Sequence, residues 1–333
     1  MVIREADASP PPRASATRPH PQFDRSRGAP HRPTSDDRRV HPSELPLQLP
    51  PAFTVREALE AGVSKGRLRA RDLQRPFHGT RSRAQLDPIP RLRLLLRVLP
   101  DGAFVCGPTA AAVRGMPLPA RVERDAVDLP IIGVPYPRNR IRRRRVRGRS
   151  LRVAESEIEE YRGIRLTTPA RTWRDVSADL GLPAMVAVTD FLIGRRRPLC
   201  TVDELAAQHA AAPTYPGAQR RVKALELCST ASESPRESEL RTALMLAGLP
   251  TPECNVDIFD GRRFVARVDL LYRAQKLVVE YYGDHHRDPN QWSVDEMRRA
   301  ELESLGYRVT VVTRRDFDDL AALAARIRRL LSA

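Results

Sequence analysis

The chain has 333 residues, with 57 lysines and arginines against 41 aspartates and glutamates, a formal net charge of +16 and 41% hydrophobic residues. Two or three domains fit this length, and the composition excludes wholesale disorder, a collagen repeat and a disulfide-stapled miniature. Acidic polyanions are the partners such a charge predicts first.

No stretch reaches the roughly 18 uninterrupted apolar residues of a membrane-spanning helix. The opening MVIREADASPPPRAS has no apolar core that could serve as a secretion signal, so a cytoplasmic, nucleoid-associated protein is expected. Cys106, Cys200, Cys228 and Cys254 form no C-x-x-C pair, which leaves buried free thiols as their expected state. Residues 1–50 hold 8 basic and 6 acidic side chains, residues 51–230 hold 33 and 18, and residues 231–333 hold 16 and 17. The nets are +2, +15 and −1, so the excess positive charge belongs to the middle of the chain and the last hundred residues are balanced and rich in carboxylates.

Residues 1–51 contain 11 of the 30 prolines and no apolar periodicity, and are expected to form a disordered tail. From Phe53, FTVREALEAGVSKGRLRARDLQRPFHGTR reads as a helix to Ala61, a turn at Gly62 and a second helix from about Ser64 to Asp72. PFHGTR then supplies a wing. Thr54 with Glu57, and Ser64, are suited to cap the two helices, while Gly62 permits the left-handed turn. The second helix would present Lys65, Arg67, Arg69 and Arg71 to phosphates and guanine edges. A solvated helix pair is the competing account. This segment, with GPTAAAVRGMPLP at residues 107–119, resembles the N-terminal part of the AbiEi-type antitoxin family over roughly residues 52–195. That resemblance implies a winged helix joined to a second basic domain.

RNRIRRRRVRGRSLR at residues 138–152 holds nine arginines in fifteen positions, among them Arg142, Arg143, Arg144 and Arg145. Such a run is either a solvated loop or strand pair, or a surface that tracks phosphates with steep salt dependence. GIRLTTPARTWRDVSADLG reads as a strand entering a helix capped near Thr168, with Pro169 first and Trp173 and Val176 facing a core.

After a connector at residues 229–234, the order is helix, three strands, helix, strand, helix. Pro235 opens the first helix, Leu240, Leu244 and Leu246 form its apolar side, and Gly248 ends it. Asp260-Gly261 predicts a hairpin turn between NVDIF and RRFVARVDLLY. If Ala274-Gln275 is the two-residue loop before KLVVEYY, Asp269 lies opposite Glu280. Directly opposed side chains have Cβ atoms about 4.5 to 5.5 Å apart, where like charges destabilise a sheet. A divalent cation such as Mg²⁺ or Mn²⁺ held by both acids relieves that repulsion, because Mg²⁺ is commonly bound by one or two carboxylates plus substrate phosphate. Ion pairs to Arg267 or Lys276 are the alternative.

Residues 234–316 resemble the very-short-patch-repair-like branch of the PD-(D/E)XK nuclease superfamily. The carrying motifs are SPRES, RVDLLY, VVEYYGDHH, Gln291-Trp292 with Asp295 and Arg298 after it, and LESLGYRVTVVT. The resemblance implies a restriction-endonuclease-like mixed sheet flanked by helices, and Mg²⁺-dependent cleavage of DNA phosphodiesters. By it Glu237 corresponds to the helix acid, Asp269 to the metal-binding aspartate, Glu280 to the second acid and His286 to the proton carrier, with His285 as its neighbour. Trp292 is either a core plug or a wedge against bases. The chain departs from the pattern at Tyr282, which stands two residues after Glu280 where the superfamily has lysine and this branch usually aspartate. Lys276 could supply a positive charge from the same strand, though about 13 Å away.

The expected architecture is therefore multidomain α/β. Residues 1–51 form the tail, 52–100 a winged helix-turn-helix, 101–228 a basic antitoxin-like α+β region, and 229–333 the endonuclease-like domain. The expected function is DNA binding coupled to metal-dependent endonuclease activity; the alternative is an antitoxin-like transcriptional regulator with a degenerate nuclease domain, for which a toxin is the implied protein partner.

Overall fold

Thr54 begins the first helix as its spacing requires: its Oγ1 accepts the Glu57 N–H at 3.2 Å, and Glu57 accepts the Thr54 N–H at 2.9 Å. In the computed structural model, which describes residues 44–282 and 289–332, this box joins β1 (Ala52–Thr54) to α1 (Val55–Glu60). Residues 44–51, assigned to the tail on sequence grounds, are part of this packing, since Leu49 is buried beside Phe53.

The expected second helix is replaced by one 3₁₀ turn, Arg67–Arg69. Ser64 does cap it, its Oγ accepting the Arg67 N–H at 3.1 Å. The turn cannot propagate because Ala70 is extended (ψ 151°). The carbonyls that a continuing helix would use are taken by arginine side chains, Leu68 O by Arg81 Nε and Arg69 O by Arg75 Nη2, each at 2.6 Å. The expected wing is also absent as a separate hairpin. Phe77 is buried, and β2 (Thr80–Ser82) pairs antiparallel with β1.

The middle of the chain runs through α2 (Pro88–Leu96), β3 (Phe104–Val105), α3 (Gly107–Val113), α4 (Ala120–Asp128) and β4 (Ile131–Pro135). It continues through β5 (Arg142–Arg143), β6 (Val146–Leu151), β7 (Ile158–Tyr161) and β8 (Ile164–Thr167). These strands make a mixed six-stranded sheet in the order β5-β6-β4-β3-β8-β7. Helices α5 (Pro169–Val176), α6 (Leu182–Ile193), α7 (Val202–Ala210) and α8 (Ala218–Leu227) follow. As expected, Thr168 caps α5, Pro169 is its first residue, and Trp173 and Val176 are fully buried. Cys106 and Cys200 are buried free thiols, and Cys228 and Cys254 are half-buried.

The last part runs α9 (Pro235–Leu246), β9 (Glu253–Asp260), β10 (Arg263–Tyr272), β11 (Leu277–Tyr282), α10 (Pro289–Ser304), β12 (Arg308–Thr313) and α11 (Leu320–Ser332). The sheet order is β12-β11-β10-β9, with β11 and β12 parallel and the other pairs antiparallel. Leu240, Leu244, Leu323 and Ile327 cover one side through α9 and α11, while Leu302 of α10 packs with Val268, Leu271 and Val278. Leu246, expected on the apolar side of α9, is exposed. The β9–β10 turn is Gly261-Arg262, because Asp260 still pairs with Arg263; Gly261 supplies the positive φ of 59°.

Residues 44–333 cluster as one unit, in which α6 packs on α9 across the connector at residues 229–234. At that junction Arg241 meets Asp190 at 2.7 Å, with both side chains at most 3% exposed. The second Asp190 oxygen accepts the Ser229 N–H at 2.7 Å. Among the described residues no helix is long and apolar enough to cross a membrane. Breaking a buried pair leaves an uncompensated charge, so Arg241→Ala should lower the unfolding free energy by about 3 to 5 kcal/mol. The double change Asp190→Leu with Arg241→Met should recover most of that loss, as read from denaturant unfolding curves.

Candidate functional site

Two groups of side chains carry chemistry: carboxylates at one end of the C-terminal sheet, and arginines on the N-terminal half. The carboxylate group depends on strand register. Tyr272 pairs with Leu277, Leu271 with Val278 and Leu270 with Val279 across the turn at residues 273–276. This is the register expected for an Ala274-Gln275 loop, closed by the Lys276 N–H on Arg273 O at 3.1 Å. The paired ladder ends at Leu270 and Val279, and Asp269 and Glu280 are the next residues of the two strands, where the Asp269 carboxylate takes the Tyr281 N–H.

Burial and fixed hydrogen bonds define each acid. Asp269 lies between the buried Val268 and Leu270, and its Oδ2 accepts the Tyr281 N–H at 2.8 Å. Burial pushes its carboxyl up to about 6; the Tyr281 N–H lowers it, Glu237 raises it and Arg298 lowers it. Glu280 is 4% exposed and is also raised, first by burial. Arg298 opposes that shift, while Asp269 and Asp295 reinforce it. The two acids thus disfavour each other's charge.

Glu237 enters from the first turn of α9, where Ser234 Oγ accepts its N–H at 3.2 Å. Its Oε2 accepts the Glu233 N–H at 3.0 Å and Asn255 Nδ2 at 2.6 Å. Asn255 sits in the left-handed region (φ 50°), within β9 where Leu270 pairs with Cys254 and Val268 with Val256. This kink turns its amide toward α9, a device that nothing in NVDIF announces.

The cation at these acids is Arg298. It reaches from α10 to Glu280 Oε2 at 2.9 Å, and Tyr282 beside it favours its charge as Glu280 does. The two cations considered from sequence are occupied elsewhere. Arg267 pairs with Asp257 and Glu233, and Lys276 donates to Leu305 O at 3.1 Å. His285 and His286 lie outside the described residues, and so does the side chain of Trp292. Among the described residues no group of three or more histidine, cysteine or acidic side chains is gathered closely enough to hold a metal by itself.

On the N-terminal half, Lys65, Arg69 and Arg71 are exposed around the 3₁₀ turn. Arg67 is instead turned onto Asp72, its two terminal nitrogens meeting the two carboxylate oxygens at 2.9 and 2.7 Å. The nine-arginine segment is a hairpin: β5 pairs with β6 around Arg144-Arg145. Gly148 allows it to close, since a Cβ there would lie 2.0 Å from the Ile141 carbonyl oxygen. Arg143 pins the hairpin inward, donating to Val98 O at 2.8 Å and His78 O at 3.2 Å. Arg142, Arg144 and Arg145 are exposed.

No family model matches the chain, and no solved structure matches it. Two proteins of Mycobacterium tuberculosis are similar to it, "Uncharacterized protein MT2308" of strain CDC 1551 / Oshkosh and "Uncharacterized protein Rv2248" of strain ATCC 25618 / H37Rv. Each is 29% identical over 290 residues, covering 83% of this chain and 97% of the relative. The similarity therefore runs through both the arginine-rich and the carboxylate-bearing parts.

The raised carboxyl of Asp269 gives a test of the geometry. Between its ordinary 3.8 and about 6, the folded protein retains a proton that the unfolded chain releases. The group therefore favours folding at low pH, and this contribution disappears as pH rises to about 6. The difference amounts to a decline on the order of 3 kcal/mol. Asp269→Asn should abolish that decline, so the variant gains stability relative to the parent above about pH 6, measured by urea titration over this range.

Proposed function

We propose that the chain is a DNA-binding protein whose C-terminal part, residues 229–333, is a restriction-endonuclease-like domain hydrolysing DNA phosphodiester bonds with Mg²⁺ or Mn²⁺. The observation that carries this reading is the pair of acids just past the paired stretch of β10 and β11, half-buried Asp269 and buried Glu280, both raised in the same direction. The order α9-β9-β10-β11-α10-β12, with a mixed sheet between helices, supports the resemblance to the PD-(D/E)XK superfamily.

The donor set fits a hard divalent cation. Both acids offer oxygen, each keeps lone pairs beyond its one fixed hydrogen bond, and a cation relieves the mutual repulsion that burial aggravates. Two carboxylates, with water and substrate phosphate completing the shell, are an ordinary Mg²⁺ arrangement. Asp269 and Glu280 would hold the ion, which when bound supplies an activated water and neutralises charge developing on the phosphate.

The chain's own groups then divide the remaining work. The Tyr281 N–H fixes the Asp269 carboxylate, and Arg298 fixes that of Glu280 while adding positive charge beside the phosphate. Glu237, held by Asn255 and the Glu233 N–H, orients water from the helix side. The proton carrier is assigned to His286 from the sequence motif alone. DNA is the partner of the arginine-rich half, with Lys65, Arg69, Arg71, Arg142, Arg144 and Arg145 as its contacts, Arg143 holding the hairpin through Val98 O and His78 O, and Arg67 holding the turn through Asp72.

A second reading rests on Tyr282. It stands beside Arg298, two residues after Glu280, where the branch's usual aspartate would add a third carboxylate. A regulator of the antitoxin type, binding DNA and a toxin without cleaving, fits that substitution. Supercoiled plasmid and mismatched duplex, incubated with the protein and Mg²⁺, Mn²⁺ or EDTA, separate the two. The nuclease reading expects metal-dependent nicking, reduced about a hundredfold or more in Glu280→Ala and Asp269→Ala. DNA binding without nicking, with cleavage gained in Tyr282→Asp, would instead establish the regulator.

A further inference from the structure

A cleft of about 810 Å³ opens between the Arg75 to Arg81 segment and the β5–β6 hairpin. Six arginines line it, Arg75, Arg81, Arg142, Arg143, Arg144 and Arg145, and no carboxylate does. Among the described residues none of the six makes an ion pair, although Arg171, Arg241, Arg267, Arg273 and Arg298 each find a carboxylate elsewhere. In a chain with 41 acidic residues, a cleft that gathers cations and excludes acids is built for an anion from outside.

The cations on its floor are also held in place. Arg81 donates to Leu68 O at 2.6 Å and Thr80 O at 2.7 Å, and Arg75 to Arg69 O at 2.6 Å. Arg143 spans from the hairpin to Val98 O and His78 O. Gly79, at φ 78°, lies with its Cβ position 3.7 Å from an Arg143 terminal nitrogen, so the two walls meet at a residue that needs to be glycine. Neutral carbonyls fix these guanidiniums without cancelling their charge. Arg142, Arg144 and Arg145 stand exposed at the hairpin end. No tyrosine or tryptophan lines the cleft and its phenylalanine, Phe77, is 3% exposed, so the one exposed ring is His78 and guanidinium charge dominates the lining.

We infer that this cleft is a binding groove for a nucleic-acid phosphodiester backbone, recognised by charge and spacing and not by base sequence. The inference rests on the reading of the chain as nucleic-acid binding, independently of metal-dependent cleavage. It moves the main contact from the expected recognition helix to the cleft and adds Arg75 and Arg81. Arg142, Arg144 and Arg145 meet phosphates, while Arg143 is a positioning residue.

The test is fluorescence anisotropy of the full chain on labelled duplex DNA in EDTA, from about 50 to 300 mM NaCl, since each phosphate contact contributes about 0.9 to the salt slope. The triple variant Arg142→Ala, Arg144→Ala, Arg145→Ala should bind about tenfold or more weakly and lose about 3 from that slope. An equally charged control, Arg262→Ala, Arg315→Ala, Arg329→Ala, removes exposed arginines outside the cleft and should stay near the parent. Thermal melting of both variants checks that each is folded, and Arg144→Glu alone should weaken binding in the same direction. Single-stranded DNA and duplex RNA of equal length show which backbone is preferred. Normal duplex binding by the triple variant, or an equal loss in the control, overturns the cleft and leaves DNA binding intact. No binding of any nucleic acid by the parent chain overturns both readings, and equal affinity for polyglutamate would reassign the cleft to acidic protein surfaces.

Discussion

The buried contact of Asp190 with Arg241 is the constraint on which the assembled unit depends. Desolvating two ions is costly, and their attraction offsets that cost only if the remaining hydrogen-bonding capacity is met. Here Asp190 also takes the Ser229 N–H and Arg241 reaches the carbonyl of Leu227, which meets all but the Arg241 Nε among the described residues and stitches together α6, the end of α8, the connector and α9. A linker that composition marks as a boundary is thereby fixed against the helices before it. The start of α9 carries Glu237, so the placement of that acid depends on a contact made one turn further along the helix.

Other arginines show the same rule with different partners. Arg171 is buried between Asp175 and Glu157, and Arg114 reaches Glu159 and Thr167 O. The strongly basic composition is therefore not purely a surface property: Arg114, Arg171, Arg174, Arg221 and Arg241 are buried, where a planar cation can satisfy carbonyls and carboxylates together. The exposed Arg142, Arg144 and Arg145 of the β5–β6 hairpin stand out because, among the described residues, no carboxylate pairs with them.

Features encoded by local rules were legible in the sequence. Thr54 and Thr168 caps, the glycine turn after Asp260, and the pairing of Leu270 with Val279 that brings Asp269 and Glu280 to neighbouring strands follow from spacing within a few residues of each element. The misreadings arose where tertiary contacts overrode local grammar. Arg75 and Arg81 claim the carbonyls of a would-be second helix, and Phe77 is drawn into the core of the six-stranded sheet instead of leading out a wing. Leu246 matches the apolar spacing of α9 and yet faces solvent. The site was half visible: its acids lie in motifs, but its cation depends on how α10 returns over β11, and the twist at Asn255 has no signature in composition or period.

The four-residue turn from Arg273 to Lys276 has a consequence for how this chain can diverge. Side chains alternate faces with a period of two, so a register slip of one residue changes every facing pair in β10 and β11. Tyr272 and Leu277, Leu270 and Val279 would part, and the two acids would part with them. The identities of Ala274 and Gln275 touch none of this, since both are exposed. What the turn contributes is thus a count of residues and not their identity: a slip by one would part the two acids while leaving every acidic residue in the text.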